Sequence, residues 1–154
     1  DVILTHYWSS RLIEYQYTNY IDVIVPVFNR ISKELNNASK LSIPLTIVLF
    51  TIKNLKRYYI IQGFNKTKEL IDKVEDIIRN RLSEGDFTAK IDRHKFLIVL
   101  PGKNKKFAVP FVNALKNEIV QQFSQKELQL LVTFLMAEYP EDGNDLYSLL
   151  DAID

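Results

Sequence analysis

The sequence contains no cysteine and only two histidines, His6 and His94, which lie far apart in the chain. Disulfide bonds and thiolate metal sites are therefore excluded, and a zinc site is disfavoured because two separated histidines supply too few ligands. The 20 Lys and Arg residues against 19 Asp and Glu residues leave a net charge of +1. This balance argues against a general nucleic-acid binder, which neutralises phosphates with an excess of basic residues.

Long apolar runs are also missing. The sequence has no stretch of about 18 apolar residues, and its N-terminus lacks the charged and then apolar plan of a signal peptide. Internal repeats and low-complexity segments are absent as well. We therefore expect no membrane contact by this domain and a cytoplasmic location. The first residue is Asp1 rather than Met, which is compatible with a piece of a longer protein that has a membrane anchor elsewhere.

The composition that remains is that of an ordinary globular domain. The chain has 154 residues, of which 47% are hydrophobic and 25% are charged. A chain of this length buries enough surface to form one core, and neither disorder nor a fibrous class is indicated.

Apolar periodicity and turn residues predict the order of the elements. Residues 7–40 are predicted to form two helices or one helix kinked at Pro26, because proline does not fit a helix interior. The uninterrupted apolar run at 45–52 predicts a central strand buried on both faces. Further on, the pattern predicts a helix over 66–83, a hairpin over 89–101, a helix over 109–123 with Pro110 in its first turn, a strand over 128–137, a loop over 139–143 and a last helix capped by Asn144 or Asp145.

This order predicts an α/β (α+β) fold in which helices pack on a mixed central sheet. The hairpin turn is formed by Asp92, Arg93 and His94. His94 is expected to be exposed, since nothing near it in the sequence is an obvious partner.

Several segments together resemble one known family. Tyr139-Pro140-Glu141-Asp142-Gly143 after Val132-Thr133 is the most specific of them, and Asp22, Asn29 and Arg30 match an opening motif. Lys90 to Phe96 lies where R-x-G-G-D-E-F would be expected. The chain is similar to the GGDEF domain of bacterial diguanylate cyclases, which has a palm-like fold. The resemblance implies a domain at 21–154 with a truncated C-terminal end, preceded by a helical connector at 1–20.

The resemblance also implies a chemistry for the site. In the family, carboxylates on the first strand and in the hairpin turn hold Mg²⁺ between triphosphate oxygens, and two glycines let the nucleotide approach the backbone. The acidic positions correspond here to Thr51, Lys53 and Lys95, and the glycines to Asp92 and Arg93. Two ammonium groups and a hydroxyl do not form a metal site, so we expect no metal and no cofactor.

Other family positions have changed too. The guanine-recognising Asn and Asp correspond to Tyr59 and Lys68, whose hydrogen-bonding groups differ. Lys56 matches a retained lysine. In the product-binding R-x-x-D motif, Asp86 is kept but the arginine corresponds to Ser83, so binding of cyclic di-GMP by that route is not expected.

Many of the changes add positive charge. An altered, cationic pocket for a phosphate-bearing ligand is one interpretation, and solvated surface charge is the other. The candidate pocket residues are Thr51, Lys53, Lys56, Tyr59, Lys68, Asp92, Arg93, His94 and Lys95.

Three functions follow as hypotheses. The first is a catalytically inactive GGDEF-type domain that serves as a regulatory or protein-interaction module in bacterial signalling. Its partners would be other domains of the same protein, a signalling protein or a second copy, and not nucleic acid. The second is a sensor that binds GTP or another phosphate-bearing ligand without reaction. The third is an active enzyme with relocated acids, which the missing Asp pair at the end of the first strand disfavours.

Overall fold

The structure is a computed structural model that describes residues 24–125 and 128–154. The predicted connector at 1–20 and the matched Asp22 lie outside these residues. The elements in chain order are α1 (Val25–Leu41), β1 (Leu45–Ile52), α2 (Leu55–Gln62), α3 (Phe64–Arg81), β2 (Phe87–Asp92), β3 (Lys95–Pro101), α4 (Lys105–Phe123), β4 (Val132–Tyr139) and α5 (Leu146–Ala152).

The four strands form one sheet in the order β2-β3-β1-β4. The predicted α+β class and the hairpin are confirmed. We expected a mixed sheet, but each neighbouring pair of these strands is antiparallel. β1 and β2 do run in the same direction and are joined by a helical connection of the kind that parallel strands need, but β3 lies between them.

β1 is buried on both faces, as its apolar run predicts. Val48, Phe50 and Ile52 pack into a core with α2, α3 and α4. Leu45 and Ile47 point the other way into a second core with α1 and α5. Helices therefore cover both faces of the sheet, and the alternation of side chains along one strand divides the interior into two clusters.

Two prolines lie at positions in helices that the sequence analysis did not predict fully: the place of Pro26 was left open, and that of Pro110 was predicted wrongly. Pro26 lies in the first turn of α1, where its missing N–H costs no hydrogen bond, and the helix continues unbroken to Leu41. Pro110 was expected in a first turn but lies inside α4, because that helix begins earlier, at Lys105. The side chain of Asn104 caps it by accepting a hydrogen bond from the Phe107 N–H at 3.1 Å.

The remaining differences concern short elements and boundaries. The eight-residue helix α2 was not predicted, because two turns are too short to show a clear apolar period. β4 runs from Val132 to Tyr139 rather than over 128–137. The predicted cap of the last helix is confirmed at Asp145, whose side chain and that of Ser148 bond reciprocally to each other's backbone N–H.

In the part of the chain that the structure describes, none of the helices combines the length and the apolar character needed to cross a bilayer.

Because helices cover both faces of the sheet, an Ile→Ala substitution in a strand should lower the free energy of unfolding far more than the same substitution on an exposed helix surface. Ile98 in β3 is 0% exposed, whereas Ile60 on α2 is 46% exposed. We expect Ile98→Ala to lower the free energy of unfolding by about 2–5 kcal/mol, because it removes buried methyl groups and leaves a cavity. The matched control Ile60→Ala should change it by less than about 0.5 kcal/mol. Urea denaturation of both variants measures the difference, and similar values for the two would contradict the described burial.

Candidate functional site

The end of β1 and the hairpin turn lie side by side at one end of the sheet. Thr51, near the end of β1, faces Lys95 on β3 and Thr133 on β4 in the strand register. Its side chain is nearly buried. The backbone N–H of Ile52 donates a hydrogen bond to the carbonyl oxygen of His94 at 2.8 Å, which joins the turn to β1.

A set of hydrogen bonds on the other side of β1 holds the segment that carries Lys53. The Lys53 N–H donates to the Leu131 carbonyl oxygen at 2.7 Å. The amide of Asn54 accepts from the Leu131 N–H at 2.9 Å and donates to the Gln129 carbonyl oxygen at 2.8 Å. Sequence reasoning missed Asn54, since its partners lie 75 and 77 positions away. The Lys53 side chain itself is exposed.

The turn is organised around the carboxylate of Asp92. One oxygen accepts a hydrogen bond from the Arg93 N–H at 2.6 Å, and the other lies 3.6 Å from Nδ1 of His94. Asp92 is only 6% exposed. Contrary to expectation, His94 is half-buried and has the Asp92 carboxylate as a neighbour.

The pKa of His94 is set by burial and by the charges around the ring. Burial lowers the pKa of the imidazole, the negative charge of Asp92 opposes this shift, and the positive charges of Lys95 and Lys53 add to it. The net effect is a pKa below the ordinary value of 6.5. Lys53 and Lys95 are therefore both close enough to the ring for their charges to act on it.

Two further predicted site residues are involved in packing. The ring of Tyr59 is 6% exposed and meets Phe64 edge to face, with ring centroids 6.4 Å apart. The guanidinium of Arg93 lies 5.1 Å from the centre of the same Phe64 ring. Phe64, which the sequence did not single out, thus connects the hairpin turn to the start of α3.

The last two predicted residues are exposed on helices. Lys56 lies in the first turn of α2 and Lys68 in the second turn of α3. Lys90 on β2, another lysine near the hairpin turn, lies 4.0 Å from the carboxylate of Asp72 on α3. The structure therefore brings Thr51, Lys53, Asp92, His94 and Lys95 together, with Lys56 nearby along the chain, and it places Lys68 on a separate element.

A cavity of about 250 Å³ lies beside Lys95 on the face covered by α1 and α5. Most of its walls are apolar, and three ionisable side chains reach it. It is lined by Phe28, Leu49, Ile91, Leu97, Leu150 and Ile153 together with Lys95, Asp151 and Asp154. Sequence periodicity identified several of these residues as core but could not show that they leave a space.

Within residues 24–125 and 128–154, no three side chains of the His, Cys, Asp or Glu type come together as a group that could hold a metal ion.

Residues 26–154 match the family model described as the diguanylate cyclase GGDEF domain. The chain belongs to the GGDEF domain family. No curated protein matches the sequence significantly.

Solved GGDEF domains share the fold. The domain of DgcB from Caulobacter crescentus, solved with c-di-GMP, has a TM-score of 0.70 and 13% identity, over 80% of this chain and 75% of that one. The domain of YfiN from Pseudomonas aeruginosa has a TM-score of 0.72 and 19% identity, over 82% and 76%. The active GGEEF domain of a diguanylate cyclase from Vibrio cholerae has a TM-score of 0.66 and 17% identity, over 80% of each chain.

Asp86, which matches the aspartate of the family's R-x-x-D motif, has an internal partner in this GGDEF domain. The Asp86 carboxylate accepts a hydrogen bond from the Ser83 N–H at 2.9 Å and forms an ion pair with the Lys103 ammonium. The side chain of Asp86 is only 2% exposed. Its negative charge is therefore already neutralised within the domain, and Ser83 contributes only its backbone to this arrangement.

The charges around His94 predict how its pKa responds to substitution. Lys95→Met should raise the pKa by removing a nearby positive charge, and Asp92→Asn should lower it further. Lys33→Met, which removes an exposed lysine from α1, should leave it unchanged. The NMR shift of the imidazole proton against pH measures each value, with the signal assigned by its loss in His94→Asn. An increase in pKa for Asp92→Asn would contradict the described geometry.

The same shift predicts a pH dependence of stability. Because the folded pKa of His94 lies below the unfolded value near 6.5, the unfolded chain binds the proton first as the pH falls. Stability is therefore lost as the pH decreases through that value, and the loss is complete below the folded pKa. Relative to the His94→Asn variant, the native chain should lose free energy of unfolding as the pH falls through about 6.5. Parallel urea titrations test this, and equal pH profiles would contradict it.

Proposed function

We propose that this GGDEF domain does not make cyclic di-GMP and acts instead as a regulatory or protein-interaction module in bacterial signalling. The observation that carries the proposal is the pairing of Thr51 with Lys95 at the end of β1, beside Lys53. These are the positions where the family resemblance expects metal-binding carboxylates.

The chemistry of these side chains supports the loss of catalysis. Mg²⁺ requires oxygen ligands in near-octahedral geometry, and an ammonium group has no lone pair to offer. Two positive charges in this place would repel the cation. The one carboxylate of the turn, Asp92, is nearly buried and is engaged with the Arg93 N–H and His94.

The residues at the family's guanine-binding positions also support the loss of catalysis. Tyr59 is packed into the helical core against Phe64, so its ring fills space that a small polar side chain would leave open. Lys68 replaces a hydrogen-bond acceptor with a donor. Both changes weaken the recognition that the family resemblance would imply.

A regulatory role is supported by the intact architecture. Both cores are formed by buried apolar side chains, with a cavity beside Lys95 in the second, and the sheet and the hairpin keep the family's fold. A domain that keeps its fold without the metal-dependent reaction contributes through contacts. Other domains of the same protein, or a separate signalling protein, are the partners that we propose.

The experiment is a cyclase assay on the full chain, with GTP and either Mg²⁺ or Mn²⁺. We expect no cyclic di-GMP above the protein-free blank by mass spectrometry, because the metal has no carboxylates to hold it. The active GGEEF domain from Vibrio cholerae, named as a diguanylate cyclase, serves as the positive control under the same conditions. Product that rises with the concentration of this chain would overturn the proposal.

A further inference from the structure

The short helix α2 presents positive charge and apolar side chains on one exposed face. Its buried side, formed by Leu55, Tyr58 and Tyr59, packs into the core that it shares with α3 and α4. Four exposed residues lie together on the opposite side: Lys56, Arg57, Ile60 and Ile61. Ile60 is 46% exposed and Ile61 is 52% exposed, and side chains four positions apart are neighbours on a helix. The exposed face therefore has two cations in its first turn and two isoleucines in the next.

The helix α5, on the other side of the sheet, presents an aromatic ring and negative charge. Leu149 points into the core that α5 shares with α1. Tyr147 is 77% exposed, and Asp151 lies one turn later, in the last turn of the helix. Asp154 follows two positions after the helix ends at Ala152, and it is exposed as well. The exposed side of α5 thus begins with a tyrosine and ends with carboxylates.

These charges have the unfavourable sign for the helices that carry them. A helix favours negative charge at its N-terminus and positive charge at its C-terminus, because of the partial charges on its unpaired N–H and C=O groups. α2 has two cations and no acid in its first turn, and α5 has a carboxylate and no basic residue in its last turn. Among the described residues, none of these charged side chains forms an ion pair that would offset the penalty.

The two faces belong to longer segments of opposite charge. The chain from 53 to 68 has five basic residues and no acidic one, and the chain from 128 to 154 has six acidic residues and no basic one. α2 and α5 pack against opposite faces of the sheet, each in its own core. The sheet therefore separates the two faces within one domain, and they contact each other only between two copies.

The two faces match when the helices run in opposite directions. On α2 the cations precede the isoleucines by four residues, and on α5 Tyr147 precedes Asp151 by four residues. Four residues correspond to about 6 Å along a helix. In an antiparallel pair, the two cations lie opposite the carboxylates and the isoleucines lie opposite the tyrosine ring. Parallel helices would place the carboxylates against the isoleucines, so the order of the residues favours the antiparallel direction.

From this match we propose that α2 of one copy of the chain packs antiparallel against α5 of a second copy. Charge-assisted hydrogen bonds join the two cations of α2 to the two carboxylates, and the ring of Tyr147 covers the isoleucines. The inference rests on the proposed role of the domain as a protein-interaction module, and it names a second copy as the partner.

This contact uses a different surface on each of its two sides. A copy that binds through α2 still has a free α5, so a further copy binds there. Contacts of this heterologous kind produce open chains or rings rather than a closed two-fold dimer. Because two short helices bury less surface than a stable interface does, the association is weak and depends on salt.

The first test is sedimentation velocity of the full chain over a range of concentrations, at about 0.05 M salt, where exposed charges are little screened. We expect the mean mass to rise with concentration past that of a dimer, because each added copy leaves one face free. At about 0.5 M salt the dissociation constant should increase at least about threefold, since the interacting charges are exposed.

Charge reversal tests the two sides separately. The variants Lys56→Glu/Arg57→Glu and Asp151→Lys/Asp154→Lys should each associate at least about tenfold more weakly, because like charges then face each other. Mixing the two variants should restore the association, since every contact between them joins opposite charges. A variant that had merely misfolded would not be rescued by the other.

The matched controls make the same changes of charge elsewhere on the surface. Lys33→Glu/Lys40→Glu reverses two exposed lysines of α1, and Asp76→Lys/Glu84→Lys reverses two exposed acids on α3 and just after it. Each control should alter the dissociation constant by less than about twofold at about 0.15 M salt, because its charges lie outside the contact.

Three results would overturn the proposal. Monomers at every concentration would do so, in favour of a different acidic partner for α2. A mass that stops at the dimer would show a two-fold contact instead, and a mixture of the two variants that stays monomeric would exclude the pairing of α2 with α5. The cyclase assay keeps this inference separate from the proposed function. Monomers without product overturn the inference alone, whereas formation of cyclic di-GMP overturns the proposed function whatever the state of association.

Discussion

β1 has to be buried on both faces because its side chains are apolar in both directions, and the two neighbouring strands and the helices on both faces of the sheet meet that requirement. β3 and β4 take up its backbone groups, and helices from before and after it in the chain cover its two faces. A strand enclosed in this way has little freedom to shift its register, since a slip of one residue would exchange the contents of the two cores. This fixed register determines where Thr51, near the end of β1, and Lys53, directly after it, are placed.

The sequence predicted an element correctly where a periodic apolar pattern ended at a clear turn or capping residue. The doubly buried strand, the hairpin and the Asp145 cap belong to this group, because each depends on neighbours within a few positions. The start of α4 was misplaced since Pro110 is a strong local signal, while the Asn104 cap that overrides it is a weaker one. The sheet is antiparallel because β3 lies between β1 and β2. The order of the strands is decided by packing rather than by local pattern.

The candidate site was predicted less completely than the fold. Matching to a family motif predicted that Thr51, Lys53 and Lys95 lie close together. The strand register pairs Thr51 with Lys95, and Lys53 follows directly after the end of β1. The roles of Asn54 and Phe64 arise from contacts with residues distant in sequence, which no local pattern reveals. The burial of His94 was missed for the same reason, since its environment is created by the turn and by a lysine from another strand. Electrostatic properties of this kind belong to the folded domain rather than to any segment.

The packing of Tyr59 has a consequence for any exchange of side chain at this position. Its ring is enclosed in the helical core and meets Phe64, so the small Asn that the family resemblance places there would leave a cavity and cost about 3 kcal/mol or more. A single substitution to Asn would therefore destabilise the domain unless other core residues changed at the same time. The identity of residue 59 is thus constrained by the packing of the helices as well as by the chemistry of the neighbouring turn.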